Sequence, residues 1–74
     1  MCLLDSGVNK ICRVISIDLA ESLKEHLCAM GICPNATVCV KRYGWFKSSV
    51  QVQIGQRVVA LGKEQACAIQ VHTV

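Results

Sequence analysis

The reactive residues of this 74-residue chain are six cysteines and two histidines. Tight ligand pairs of the Cys-x-x-Cys or His-x-x-x-His type, which zinc sites commonly use, do not occur. Cys28 and Cys33 come closest to such a pair, with four residues between them. If a soft metal binds, these two thiols are its candidate ligands, alone or with another thiol, and packing is the alternative role. The spacing predicts no resident metal and no other cofactor.

Nucleophilic catalysis requires a Cys or Ser beside a His that a third group orients. His26 falls on the polar face of a predicted helix, and His72 is the third residue from the C-terminal end of the sequence. Both are interpreted as solvated histidines. Glu21 and Glu25 form a carboxylate pair on the same polar face, where such pairs usually improve solubility. The sequence therefore predicts no catalytic residues and a protein that is not an enzyme.

The cysteine content allows two interpretations. In a secreted chain, six cysteines would indicate three disulfides. In a reducing compartment they behave as small, mostly buried hydrophobic residues. The starting sequence MCLLDSG lacks the basic start and apolar core of a secretory signal, and no apolar run approaches the ~20 residues of a spanning helix. These features favour reduced thiols and a cytoplasmic location.

All aromatic residues of the chain fall within four positions, at Tyr43, Trp45 and Phe46, and Lys47 follows them. Gly44 gives this segment the freedom to turn. The aromatic side chains could form a small satellite core folded onto the domain. They could equally form a docking surface, because aromatic residues dominate binding hot spots. Tyr43, Trp45, Phe46 and Lys47 are therefore the candidate partner-binding residues.

The net charge of +3 at pH 7 is a mild excess that is spread along the chain. Lys41 and Arg42 are its densest point, and a solvated strand edge explains them as well as a phosphate contact does. Without a basic stripe, the charge argues against a nucleic-acid partner.

One segment, from Asp18 to Val40, predicts a helix, a stop, a turn and a strand in succession. Asp18 is the predicted N-cap, and Glu21 would complete a capping box. The helical period places four apolar residues on one stripe that must be covered. These are Leu19, Leu23, Leu27 and Met30.

The predicted helix stop is Gly31, because glycine readily adopts the positive φ that commonly ends a helix. Ile32 is then expected to fold back on Leu27. Pro34 and Asn35 suit the middle of a tight turn.

Five short strands are predicted, at residues 10–17, 37–42, 50–54, 57–61 and 67–71. Val50, Val52 and Ile54 should face the core. Gly55 and Gln56 match a two-residue type II′ hairpin turn. Residues 1–9 have no clear period and are interpreted as a flexible or loosely attached start, and residues 62–66 as a single helical turn. Cys67, Ile69 and Val71 are expected on one face of the last strand.

These elements predict a single mainly β domain over residues 1–74. Small all-β domains remove exposed edges by closing the sheet. The expected architecture is a small five-stranded SH3-like barrel with one α-helix inserted between strands 1 and 2.

Two sequence stretches resemble the FeoA family, ferrous iron transport protein A. They read L-x-x-x-L-x-x-M-G-I-x-P-N-A-x-V-x-V from Leu23 to Val40, and V-A-L-G-K-E-Q-A-x-x-I-x-V from Val59 to Val71. The resemblance covers about three-quarters of the chain. Asn35 stands where the family commonly has Gly, and YGWFKSS replaces a segment that often contains Pro and Gly.

The resemblance implies a small cytoplasmic accessory or regulatory protein of bacterial ferrous iron uptake, with no chemistry of its own. Its implied partner is the cytoplasmic part of a FeoB-type permease, through which it would be peripheral to the inner membrane. A thiol-based carrier or sensor of transition metals is the alternative. The same barrel occurs as the C-terminal domain of metal-dependent repressors. A start at Met1 without a helix-turn-helix favours a free-standing protein.

Overall fold

The computed structural model describes all residues, Met1–Val74. The chain forms five strands and two α-helices. They are β1 (Ile11–Ile17), α1 (Glu21–Ala29), β2 (Thr37–Tyr43), β3 (Ser49–Ile54), β4 (Arg57–Gly62), α2 (Lys63–Ala68) and β5 (Ile69–Thr73). Short 3-10 turns cover Leu3–Asp5 and Trp45–Lys47.

The strands form one antiparallel sheet in the order β4-β3-β2-β1-β5. The predicted mainly β, SH3-like architecture is confirmed, with α1 inserted between β1 and β2. The expected full closure of the sheet is wrong, because the edge strands β4 and β5 do not pair with each other. The short helix α2 joins these two edges and contacts both.

Two irregularities in strand pairing bend the sheet. The β1–β5 register shifts between Val14 and Ser16, and the β2–β3 register shifts between Val40 and Arg42. An extra residue in one strand increases the local bend and twist, as a curved sheet requires. The first shift explains the imperfect alternation of β1, since Ile17 is buried while Ile15 is exposed.

A single hydrophobic core fills the space inside the curved sheet. Val50 and Val52 of β3 point into it as predicted, and Ile54 is half-buried against it. The core also takes side chains from every other strand and both helices. Its members are Leu3, Leu4, Cys12, Val14, Ile17, Leu27, Ile32, Val38, Val40, Val50, Val52, Leu61, Ala66, Ile69 and Val71.

The C-terminal end of α1 follows the sequence prediction. Gly31 has φ +99°, and its N–H donates to the carbonyl of Cys28. The Ile32 N–H donates to the carbonyl of Leu27 at 2.9 Å. This pair of bonds is a Schellman cap, and it places Ile32 in the core beside the last helical turn.

The turn after the cap and the hairpin between β3 and β4 are also as predicted. Asn35 has φ 74° after Pro34, and the Ala36 N–H donates to the carbonyl of Cys33. Gly55 has φ 62° between the paired residues Ile54 and Arg57. Positive φ at only the first loop position matches a type II′ turn.

The predicted helix start is wrong. Helix α1 begins at Glu21, and its N-cap is Ala20, without a side-chain hydrogen bond. The N–H of Asp18 donates to the carbonyl of Ala68 at 2.8 Å, which holds Asp18 in the connection from β1 and outside the helix. Asp18 therefore cannot cap, and no capping box with Glu21 forms.

The predicted apolar stripe is only partly covered. Leu27 is fully buried, and Leu19 and Met30 are half-buried against the core. Leu23 is 41% exposed. The short helix has only one buried residue, near its C-terminal end, so its first turn leaves its apolar residue in solvent.

The expected flexible start is also wrong. Leu3 and Leu4 are core residues, and the Ser6 hydroxyl donates to the Leu3 carbonyl at 2.8 Å. The Val71 N–H donates to the carbonyl of Met1, and Asn9 donates to Val40. These bonds tie the first nine residues to the sheet.

The last strand begins later than predicted. Helix α2 continues through Ala68, so Cys67 is exposed on a helix and does not share a strand face with Ile69 and Val71. Ala66 is fully buried. Its burial anchors α2 in the core and keeps the following residues helical.

Candidate interaction loop and thiol cleft

Residues 43–49, here called the aromatic loop, join β2 to β3. Tyr43 fixes the base of this loop. Its hydroxyl donates to the carbonyl of Leu4 at 2.7 Å and accepts from the Gly7 N–H at 3.2 Å. Tyr43 is therefore the one aromatic residue of the group that belongs to the structural framework.

The backbone of the aromatic loop is closed by its own hydrogen bonds. The Gly44 N–H donates to the Ser49 carbonyl at 2.8 Å, and the Lys47 N–H donates back to Gly44. A Cβ on Gly44 would overlap the Ser49 hydroxyl, so a larger residue there would require that hydroxyl to rotate.

Two residues at the tip of the aromatic loop have left-handed backbones. Phe46 has φ 52° and Lys47 has φ 57°. Non-glycine residues adopt this region at a cost of about 1–2 kcal/mol each. The Lys47 ammonium lies over the Tyr43 ring, 4.9 Å from its centroid.

Trp45 and Phe46 form the exposed end of the aromatic loop. Trp45 is 84% exposed and Phe46 is 93% exposed. Their ring centroids lie 6.2 Å apart, so the two side chains make one continuous apolar surface. The structure thus divides the aromatic group, with Tyr43 packed against the domain and Trp45 and Phe46 in solvent.

The surroundings of the tip are basic. Residues 41–49 contain Lys41, Arg42 and Lys47 and no acidic residue. All three basic side chains are exposed. A partner that receives the aromatic tip would gain further from an acidic rim, because such charges steer encounter and fix orientation.

The second site is a cleft along α1 and the turn that follows it, here called the thiol cleft. Its volume is ≈ 210 Å³. It is lined by Ile17, Glu21, Lys24, Glu25, Cys28, Cys33 and Pro34. The structure therefore brings together the two cysteines that the sequence singled out as candidate metal ligands.

The two thiols of this cleft interact. Hydrogen bonding with the Cys28 thiol raises the pKa of Cys33 above its usual value, and partial burial adds to the rise. Cys28 is exposed and Cys33 is half-buried. Lys24 also lines the cleft and pairs with Glu21 at 3.6 Å.

A second thiol pair, Cys2 with Cys67, joins the N-terminal segment to α2. The Cys2 thiol donates to the Asp5 carboxylate at 3.2 Å. Burial, followed by this hydrogen bond, raises the pKa of Cys2, with a smaller contribution from Cys67. The sequence gives no signal for this pair, because 64 residues separate its members and a tertiary contact unites them.

All six cysteines are free thiols. The expectation that they are mostly buried is wrong, since only Cys12 is buried, and Cys28 and Cys67 are exposed. No group of three or more His, Cys, Asp or Glu side chains is arranged to hold a metal ion. His26 and His72 are both exposed, as predicted.

The FeoA domain model matches residues 1–73 of this chain. The chain belongs to the FeoA family. That family is associated with ferrous iron transport. The resemblance inferred from the helix cap and the C-terminal segment is thereby confirmed. No curated protein matches the chain.

Solved structures of FeoA proteins share its fold. The solution structure of FeoA from Chlorobium tepidum superposes with a TM-score of 0.92 at 19% identity, over 100% of this chain and 70% of that one. A crystal structure of an iron uptake regulatory protein (FeoA) gives a TM-score of 0.86 at 23% identity, over 100% and 96%.

A manganese-dependent transcriptional repressor contains the same fold. Its TM-score is 0.87 at 23% identity, and the match covers 100% of the FeoA-family chain but 41% of the repressor. The fold thus occurs both in FeoA proteins and inside a larger regulator. Neither helix of the present chain is long and apolar enough to cross a membrane.

Proposed function

We propose that this FeoA-family protein is a cytoplasmic, non-enzymatic accessory protein of ferrous iron uptake, and that it acts by binding the cytoplasmic part of a FeoB-type permease. In this proposal Trp45 and Phe46 are the contact residues, and Lys47 borders them. Tyr43 anchors the base of the loop to the N-terminal segment through its hydroxyl. The protein reaches the inner membrane only through the permease.

The observation that carries the proposal is the exposure of Trp45 and Phe46 on a loop whose backbone is otherwise fixed by hydrogen bonds. Large aromatic side chains are the residues that most often dominate binding energy at interfaces. Here both side chains are almost fully exposed, and Phe46 has a left-handed backbone that costs free energy to hold. A fixed aromatic tip loses little conformational entropy when a partner covers it.

The basic residues beside Trp45 and Phe46 indicate what kind of partner surface should bind these two side chains. Lys41, Arg42 and Lys47 favour an apolar socket with acidic residues around it. Raising the salt concentration should then slow association more than it speeds dissociation.

The test is a binding titration against the purified cytoplasmic domains of a FeoB-type permease. Trp45→Ala and Phe46→Ala should each weaken binding about thirtyfold or more, since hot-spot truncations cost about 2 kcal/mol or more. Val58→Ala is the matched control, because Val58 is also an exposed apolar residue, at 60%, but lies on β4. A folded wild-type protein that binds none of the domains, or an equal loss in the Val58 variant, contradicts the proposal.

The thiol cleft favours a second candidate function, a thiol-based carrier or sensor of transition metals. Cys28 and Cys33 would supply two thiolates, which soft metals select. A third ligand would have to come from outside the domain, because no three-ligand group exists in it. Titration of the reduced protein with zinc and with ferrous iron tests this function. The absence of sub-millimolar binding that is sensitive to Cys28→Ser removes it.

A further inference from the structure

The thiol cleft contains a pair of cysteines that the proposed permease contact does not use. Cys28 lies in the last turn of α1, and Cys33 lies two residues beyond Gly31. Both line the same cleft of ≈ 210 Å³, and Cys28 is open to solvent. A small reagent can therefore reach Cys28 without unfolding the protein.

The helix cap explains why two cysteines five positions apart meet. The left-handed Gly31 reverses the chain, and the bonds from Gly31 to Cys28 and from Ile32 to Leu27 hold the reversed segment against the last helical turn. The bond from Ala36 to the Cys33 carbonyl fixes the other side of Cys33. The Schellman turn at Gly31 therefore brings both thiols to one cleft.

We propose that Cys28 and Cys33 form a reversible dithiol–disulfide pair, a site of oxidation by glutathione disulfide. The site depends on the turn at Gly31 and on the accessibility of Cys28. It is independent of the aromatic loop and of the proposed permease contact.

The exchange involves two successive thiolate attacks. The Cys28 thiolate attacks one sulfur of glutathione disulfide, forming a mixed disulfide and releasing one glutathione thiolate. The Cys33 thiolate then attacks the Cys28 sulfur, closing the protein disulfide and releasing the second glutathione. The two thiol protons end on two molecules of reduced glutathione, which carry the two electrons. Excess reduced glutathione reverses both steps.

The Cys2–Cys67 pair provides an internal comparison. Cys2 donates its proton to the Asp5 carboxylate, and formation of its thiolate would place two negative charges side by side. Cys28 makes no hydrogen bond of this kind to a carboxylate, although Glu21, Lys24 and Glu25 all line its cleft and Lys24 pairs with Glu21. Cys28 is exposed, whereas Cys2 is half-buried. Thiol exchange depends on thiolate character and access, so Cys28 should react with the disulfide before Cys2 does.

Tryptic peptides separate the two pairs. Residues 25–41 form one peptide that contains Cys28, Cys33 and Cys39, whereas Cys2 and Cys67 fall in the separate peptides 1–10 and 64–74. The reduced protein is incubated with excess glutathione disulfide, alkylated after increasing times, digested and weighed by mass spectrometry.

The expected result is the loss of two alkylatable thiols from peptide 25–41, with no second peptide attached, before peptides 1–10 and 64–74 become linked. Cys39→Ser should leave this loss intact. Cys28→Ser should abolish it, and Cys33→Ser should leave a glutathione adduct on Cys28. Circular dichroism shows that each variant is folded.

Two results overturn the inference. One is a wild-type peptide 25–41 that keeps all three thiols in excess glutathione disulfide, whatever happens to the other cysteines. The other is an internal disulfide in that peptide that persists in Cys28→Ser. Neither result bears on whether the aromatic loop binds a permease, which is measured separately.

Discussion

The core of the sheet and the aromatic loop use large apolar side chains in opposite ways. In the core, residues such as Leu27, Ile32 and Val52 are fully buried, and their neighbours come from distant parts of the chain. In the aromatic loop, Trp45 and Phe46 are almost fully exposed on a backbone that costs free energy to hold. Side chains exposed in this way bury little apolar surface on folding, and in the proposed function they serve a contact outside the domain.

The comparison separates two sets of expected effects. Substitutions in the core and at the helix cap should change stability. Substitutions at the tip of the aromatic loop should leave stability unchanged or improve it. A residue at the boundary, Tyr43, should behave as part of the framework.

The largest effect is expected for Leu27→Ala. Leu27 is the only fully buried residue of α1, and its truncation leaves a cavity that the surrounding strands fill only in part. Leu→Ala substitutions in cores cost about 2–5 kcal/mol. Urea denaturation measures this loss of unfolding free energy. The same substitution at the more exposed Leu23 should cost much less, and equal losses would show that α1 packs differently.

The second largest effect is expected for Gly31→Ala, which should lower the free energy of unfolding by about 2 kcal/mol. A Cβ at φ +99° is strained, and it would also lie 3.1 Å from Cγ2 of Ile54. Thermal unfolding would record the loss. Gly62→Ala is a control, because nothing lies within 4 Å of a Cβ there and its φ is negative. A Gly31 variant as stable as the wild type would argue against the left-handed cap.

Tyr43→Phe should cost about 1 kcal/mol. It removes the hydroxyl that bridges Leu4 and Gly7, and it leaves a partly buried carbonyl without its donor. The ring itself remains, so the loss should appear as weaker protection of the N-terminal segment in hydrogen exchange. No change in exchange at residues 3–7 would contradict the assignment of Tyr43 to the framework.

Phe46→Asn should have the smallest effect and the opposite sign. Asn tolerates a left-handed backbone better than Phe, so the variant should gain about 0.5 kcal/mol of unfolding free energy. Denaturant titration measures the unfolding free energy of this variant and of Trp45→Asn. Trp45→Asn should show no such gain, because Trp45 is not among the residues with positive φ. A loss of stability in Phe46→Asn would mean that Phe46 packs against the domain in solution.

Local chemistry accounts for the parts of the fold that the sequence predicts well. Gly31 with Ile32, Pro34 with Asn35, and Gly55 with Gln56 each specify a turn through backbone preferences that act within a few residues. The alternation of Val50 and Val52 likewise needs only the period of a strand.

Tertiary contacts account for the parts that could not be predicted. Leu3 and Leu4 have no periodic pattern, and they become core residues because the N-terminal segment contacts α2 and β5. The bond from Asp18 to Ala68 overrides a good capping sequence. The residues of the aromatic loop were identified from composition alone, but only the structure separates Tyr43 from Trp45 and Phe46.

The central claim is that the tip of the aromatic loop is the surface that meets the partner. Chemical-shift mapping tests it most directly, because Trp45 is the only tryptophan and gives a single indole N–H signal. On addition of the cytoplasmic domains of a FeoB-type permease, we expect the largest shifts at this indole and at the amides of residues 44–48. Shifts that instead concentrate at the thiol cleft, with the Trp45 indole unmoved, would contradict the claim.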